Sequence, residues 1–217
     1  MRPVDLGELL EGSALITTQS LLGKESFMLK VGIITGSTRP HRKSLEVARW
    51  VLDIARKRGD AEYELVDIKD FELPLLDEPL PPSMGKYQHP HTIRWASTIG
   101  SLDAFIFVSP EYNHGIPAAL KNAIDFLFAE WNHKAAGFVS YGGAGGARAV
   151  EQLRLVLAEL HVATVRTQVL LSMWTDFEHF TTFKPHPQHE KSVGIVLDQV
   201  LAWGGALKEL RTATKAA

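Results

Sequence analysis

The sequence predicts a single α/β domain in which a five-stranded parallel sheet carries helices on both faces. Two observations predict it. Five strand-sized apolar runs alternate with five stretches whose apolar residues recur at helical spacing, the alternation that builds βαβ units with right-handed crossovers. The first run, Leu29 to Thr35, is also a continuous β-branched apolar stretch rather than apolar at every second position, as expected of a strand covered on both faces. A chain of 217 residues is long enough to bury such a core in one domain.

The elements follow in order. Leu29 to Thr35 is a β-branched apolar run and reads as the first strand. Ala48, Val51, Leu52 and Ala55 then recur at helical spacing. Tyr63 to Ile68 reads as the second strand, and a proline-rich loop runs from Phe71 to Pro82. Ile93, Ala96 and Ile99 mark a helix, and Ala104 to Val108 the third strand. Leu120, Ala123, Ile124 and Leu127 mark the next helix, with Pro117 near its first turn, where the missing N–H costs nothing. Gly137 to Tyr141 is the fourth strand, and Val150, Leu153, Leu157 and Leu160 mark the helix after it. Thr164 to Leu171 is the fifth strand, and Val193, Val196, Leu197, Val200 and Leu201 mark the last helix. Residues 1–27 stand apart, weakly amphipathic around Leu6, Leu9 and Leu10 and then polar from Thr17 to Ser20. They read either as an extension or upstream start before Met28, or as an arm that packs on a partner subunit; residues 28–217 form the domain.

Composition excludes several classes. A formal net charge of -2 gives no basis for broad attraction to nucleic acid or membrane surfaces. The longest apolar stretches are strand-sized, too short to cross a bilayer as a helix. Near the start Arg2 is the only basic residue, and Asp5, Glu8 and Glu11 interrupt any apolar region, unlike a signal peptide. The chain has no cysteine, which removes disulfides, thiolate metal sites, iron–sulfur clusters and a cysteine nucleophile and fits a cytoplasmic location. His179, His186 and His189 do not have the spacing of a helical zinc site, so no metal is expected. No Gly-x-Ser-x-Gly elbow is present. Trp174, Phe177, Phe180 and Phe183 share one segment, and read as cover for a core edge, a dimer interface or a lid.

In open parallel sheets ligands bind beyond the carboxyl ends of the strands, where strand order reverses. Three loops occupy that end. The first, Gly36-Ser37-Thr38-Arg39-Pro40-His41-Arg42-Lys43-Ser44, leads into a helix N-terminus, whose free amides and positive dipole end favour an anion. Ser37, Thr38 and Ser44 add hydroxyls, and Arg39 and Arg42 add charge. Lys43 falls one residue late for a P-loop, and a lone glycine does not make a dinucleotide fingerprint, so a single terminal phosphate fits better. The alternative is a polar loop with Ser44 as helix cap. In the second loop, Ser109-Pro110-Glu111-Tyr112-Asn113-His114-Gly115-Ile116-Pro117, two prolines add rigidity. Tyr112 offers an aromatic face there, and Asn113 and the backbone amides offer polar contacts. A planar heteroaromatic ring suits it. His114 lies either near the substrate face or on a solvated loop. The third loop, Ser140-Tyr141-Gly142-Gly143-Ala144-Gly145-Gly146-Ala147-Arg148, lets backbone approach a ligand closely, or is a flexible glycine turn.

Pro110-Glu111-Tyr112-Asn113, then Pro117 and Leu120-Lys121-Asn122-Ala123-Ile124-Asp125, together with Gly36-Ser37-Thr38-Arg39, resemble the NADPH-dependent FMN reductase family, which includes quinone, azo-dye and chromate reductases. The resemblance spans roughly residues 29–205 and departs at His41 and Ala118, where relatives often carry glycine; Ala118 reads as mid-helix. It implies a flavodoxin-like three-layer sandwich with sheet order 2-1-3-4-5. It further implies an FMN cofactor with Ser37, Arg39, Arg42 and Ser44 (beside Thr38) around its phosphate. Pro110, Glu111, Tyr112 and Asn113 would line the ring and ribityl chain, and Ser140, Gly142 and Gly143 the pyrimidine edge. Lys121, Asn122 and Asp125 read as residues that order the helix start and its neighbours. The implied activity takes hydride from NADPH or NADH and passes electrons to a small-molecule acceptor such as a quinone, free flavin, azo compound or metal oxyanion. One shared face predicts ping-pong kinetics, and the chemistry belongs to the cofactor, so no catalytic acid or base is named. The family usually forms homodimers or homotetramers. The alternatives are a flavin reductase that feeds a monooxygenase, an electron carrier, against which the weak net charge speaks, and a binding module without flavin.

Overall fold

The computed structural model describes residues 28–216; the readings of residues 1–27 lie outside the described residues. Five strands form one sheet: β1 (Lys30–Thr35), β2 (Glu62–Asp67), β3 (Ala104–Pro110), β4 (Ala135–Gly142) and β5 (Ala163–Ser172). All neighbours pair in parallel, in the order β2-β1-β3-β4-β5. The helices are α1 (Ser44–Arg56), α2 (Pro90–Ser101), α3 (Ala118–Asp125), α4 (Ala147–Glu159) and α5 (Gln188–Ala216). A short antiparallel hairpin, β6 (Phe177–Glu178) and β7 (Thr182–Phe183), lies between β5 and α5.

The pleat sorts the apolar runs into two cores. Along β3, Ala104, Ile106 and Val108 join the core under α1 and α5, while Phe105 and Phe107 join the core under α2, α3 and α4. The second core is aromatic. Trp131 meets Phe105 edge-on at 5.1 Å and Trp95 at 6.0 Å, and each indole N–H reaches a backbone carbonyl, of Ala123 from Trp95 and of Ile124 from Trp131. Gly137 on β4 lets α5 settle on the sheet: a Cβ there would stand 2.5 Å from Val196 Cγ1 and 2.8 Å from Val200 Cγ2.

Several boundaries differ from the sequence pattern, three of them for a visible physical reason. Ile68 ends no strand but opens a 3-10 turn, Ile68–Phe71. The Leu127 repeat overran its helix, because the Leu127 amide turns to the Ile124 carbonyl in a tighter 3.3 Å bond and the chain leaves the helix while Leu127 stays buried. The last helix runs well past its apolar stretch in both directions. Its distal part is held by charge: Lys208 Nζ and Arg211 Nη2 donate to the Asp103 carboxylate at 2.9 and 2.7 Å.

Candidate active site

Strand order reverses at β1 and β3, and a cleft of about 500 Å³ opens beyond the carboxyl ends of β1, β3 and β4. The first loop forms one wall. Gly36 is pinned by its amide to the Val108 carbonyl at 2.7 Å, with a Cβ there only 3.0 Å from that oxygen. Ser37 is buried; its Oγ accepts from the Arg39 amide at 3.3 Å and lies 3.0 Å from the Tyr112 hydroxyl, joining the first loop to the second. Arg39, His41, Arg42 and Lys43 line the cleft. His41 has φ 58°, so the non-glycine residue adopts the left-handed turn itself. Ser44 is not the helix cap. The cap position is Lys43, with no side-chain cap bond, and buried Ser44 instead donates to the Ser37 carbonyl at 3.5 Å. Thr38 is exposed and faces a separate cavity of about 330 Å³ with Lys69, Glu72 and Asn122.

Arg42 has a partner that the sequence did not reveal. Asp67, at the end of β2, pairs with its guanidinium and accepts from Thr35 Oγ1 at 2.8 Å and the Lys69 amide at 3.1 Å. The arginine is thereby held almost out of solvent, yet its Nε–H is buried without an acceptor among the described residues. A buried donor left so is costly, and Arg42 lines both this cleft and a neighbouring cavity with Leu45, Trp50 and Phe183.

The second loop places Pro110, Glu111 and Tyr112 on the cleft. Tyr112 and Gly115 exchange two 3.0 Å backbone bonds, and Asn113 and His114 make the turn at φ 50° and 67°, left-handed values that asparagine tolerates better than most residues. Asn113 is exposed at that tip. The Glu111 carboxylate turns from the cleft towards α4. It accepts from the Arg148 amide at 3.1 Å, Arg148 Nε at 2.6 Å and the Ala149 amide at 3.4 Å, capping α4 from another element. Burial pushes this carboxyl up, but the Arg148 hydrogen bond, the Ala149 amide and the Arg148 charge together hold it below the ordinary glutamate value. Arg148 Nη1 also donates to His114 Nε2 at 2.8 Å, and Gln152 donates to the His114 carbonyl at 2.9 Å, so His114 is part of the clasp that fixes this loop.

The third loop brings Gly142 and Gly143 to the cleft and Tyr141 beside them. Burial pushes the Tyr141 phenol well above its ordinary value. Ser140 is buried behind the loop, its Oγ donating to the Gly145 carbonyl at 2.8 Å. Gly146, at φ 76°, packs so closely that a Cβ would lie 2.7 Å from Ser140 Cβ.

Met173, Phe180 and Thr181 close the outer end of the cleft. Sequence reading left Met173 and Thr181 out; proximity to the end of β5 was their only signal. Of the aromatic segment, Phe177 covers the core edge against Tyr141 at 5.8 Å, whereas Trp174 and Phe180 stay exposed. Ala118 is the first residue of α3 rather than mid-helix. Asn122 bridges the loop before α2, donating to the Pro74 carbonyl at 2.6 Å and accepting from the Leu76 amide at 3.0 Å, and Lys121 pairs with Asp125 at 2.7 Å.

The residues fit a flavin mononucleotide. The cleft has the volume of a cofactor site, a helix N-terminus with a buried unpaired guanidinium N–H at one end, and an aromatic and glycine-lined wall at the other.

A family model for NADPH-dependent FMN reductases matches residues 29–176. An NAD(P)H-dependent FMN reductase of Schizosaccharomyces pombe is 41% identical over 149 residues, covering 68% of this chain and 74% of that one. A quinone reductase of Pseudomonas putida is 33% identical over 141 residues, covering 58% of this chain and 70% of that one. Among solved structures, the NAD(P)H:(acceptor) oxidoreductase flavoenzyme of Paracoccus denitrificans superposes with a TM-score of 0.63 at 20% identity, covering 82% of this chain and 97% of that one.

Proposed function

Since the chain belongs to the NADPH-dependent FMN reductase family, and so is an oxidoreductase that uses NAD(P)H and FMN, we propose that its cleft holds the FMN and that a quinone is its electron acceptor. The observation that carries this is the convergence on one cleft of the anion-type loop, the Pro110–Tyr112 wall and the Gly142–Gly143 backbone. Similarity to the quinone reductase supports the acceptor.

Each residue then has a task. Arg39, Arg42 and the first-turn amides at Ser44 meet the phosphate, with Arg42 aimed by Asp67. Ser37 ties that loop to Tyr112, and Thr38 closes its outer side. Pro110, Tyr112 and the Asn113 amide border the flat ring, while Glu111 keeps their loop in place through α4. Gly142 and Gly143 present backbone to the polar edge, and Ser140 shapes their turn through Gly145. Bound FMN supplies two-electron chemistry, for which the balance is NAD(P)H, a proton and a quinone giving NAD(P)⁺ and a hydroquinone. The protein binds, orients and excludes water, and no side chain is assigned as acid or base.

We place the enzyme in the cytoplasm as a homodimer or homotetramer; exposed Leu75, Leu76, Met84 and Ile93 support self-association. Steady-state rates with NADPH and menadione varied together test the acceptor. Parallel reciprocal plots are expected, and intersecting plots or no quinone-dependent turnover contradict the proposal.

A further inference from the structure

We propose that Trp174 and Phe180 form an aromatic wall that holds the planar ring of the electron acceptor at the outer end of the cleft. The proposal rests on the FMN-cleft reading above and adds residues that select the acceptor.

Trp174 and Phe180 are 70% and 53% exposed, yet they meet edge to face at 5.0 Å. Phe180 and Thr181 line the cleft itself, and the Trp174 indole N–H lies 4.0 Å from where a Gly143 Cβ would stand. The pair therefore stands beside the backbone that borders the ring, not on a remote surface. Its support is rigid. The buried Asp176 accepts from the Ser172 amide at 2.9 Å and the His186 amide at 3.0 Å, and its carbonyl accepts from the Lys184 amide at 2.9 Å. Phe177 packs on Phe183 at 5.2 Å, and Phe183 meets Trp50 at 5.5 Å. From this anchored base the β6–β7 turn projects His179 and Phe180 at φ 52° and 60°. Such backbone persists where its surroundings fix it, and clusters at ligand clamps.

The wall suits a neutral flat ring. The cations that line the cleft, Arg39 and Lys43, lie on the loop given to the FMN phosphate and not on the hairpin. Trp174 and Phe180 carry no charge and offer stacking and edge contacts.

Ping-pong kinetics allow kcat/KM to be read separately for each substrate. W174A and F180A are each expected to lower kcat/KM for menadione about 2- to 10-fold. For W174A, whose indole is not among the residues lining the FMN cleft, the values for NADPH and for ferricyanide, which is not a flat ring, and the Kd for FMN are expected to stay within about 2-fold, well under one tenfold step. W174F is expected to restore the menadione value. In the FMN-loaded protein without nicotinamide, menadione is expected to quench tryptophan fluorescence saturably, and W174F to remove that component. An equal fall for all three substrates marks a structural role and overturns the wall. A fall for NADPH alone assigns the pair to the donor and overturns it too, as do unchanged values. A wild-type protein that binds no FMN fails the underlying reading instead.

Discussion

Arg42 and Glu111 illustrate how much of the site depends on single pairings. Arg42 is expected to be the main phosphate contact, so Arg42→Ala should raise the FMN Kd by a factor of 10 or more, from the roughly 1.5–3 kcal/mol of a charge-assisted bond. Riboflavin, which lacks the phosphate, should bind the variant and the wild type alike; flavin fluorescence titration reads both, and an equal loss for riboflavin would assign Arg42 a purely structural role. Tyr112→Phe removes the 3.0 Å contact to Ser37 and should weaken FMN by about 0.5–1.5 kcal/mol in the same titration. Glu111 has a carboxyl held below its ordinary value. Its stabilising contribution is therefore present above the unfolded glutamate pKa of about 4.3, and is lost as pH falls through the lower folded value. Glu111→Gln should flatten that acid limb of the melting temperature. At this scale the residue types were legible in the sequence: hydroxyls and arginines before a helix, a proline-flanked tyrosine, paired glycines. Their pairings were not. Asp67 to Arg42 and Arg148 to Glu111 join segments far apart in the chain, and only the sheet brings them together.

The elements were read from periodicity, which reports burial. The continuous apolar runs gave β1 and β3 closely because both faces of each are covered. Periodicity failed where burial and secondary structure part, as at Leu127, buried outside its helix, and along α5, whose charged end has no apolar pattern. The two-residue strands β6 and β7 are too short to carry a period. Gly137 gives a sharp test of how α5 docks. Gly137→Ala should cost about 1–3 kcal/mol by overpacking against Val196 and Val200. Gly205→Ala in the same helix meets nothing within 4 Å and should gain about 0.5–1 kcal/mol from helix propensity. Urea denaturation of the two variants checks both signs, and equal effects would contradict this packing.

Across the whole molecule, the site and the main charged brace sit at opposite ends of the sheet. Asp103 precedes β3 and gathers the Lys30 amide at 3.1 Å with Lys208 and Arg211 from α5. Burial raises the Asp103 carboxyl, but the Lys208 hydrogen bond, the Lys30 amide and both cations hold it below its ordinary value. This contribution exists above about pH 3.9 and disappears as pH falls through the lower folded value. Asp103→Asn should therefore lower thermal stability at neutral pH with little change in FMN affinity, because the brace is remote from the cleft. The central claim is that three loops at the other end make one flavin site. Its most direct measurement is the visible spectrum of the purified protein after reconstitution with FMN and removal of free flavin, before and after anaerobic NADPH. Retained flavin whose absorbance bleaches rapidly is the expected result; protein that retains no flavin and takes up none on titration would contradict the account.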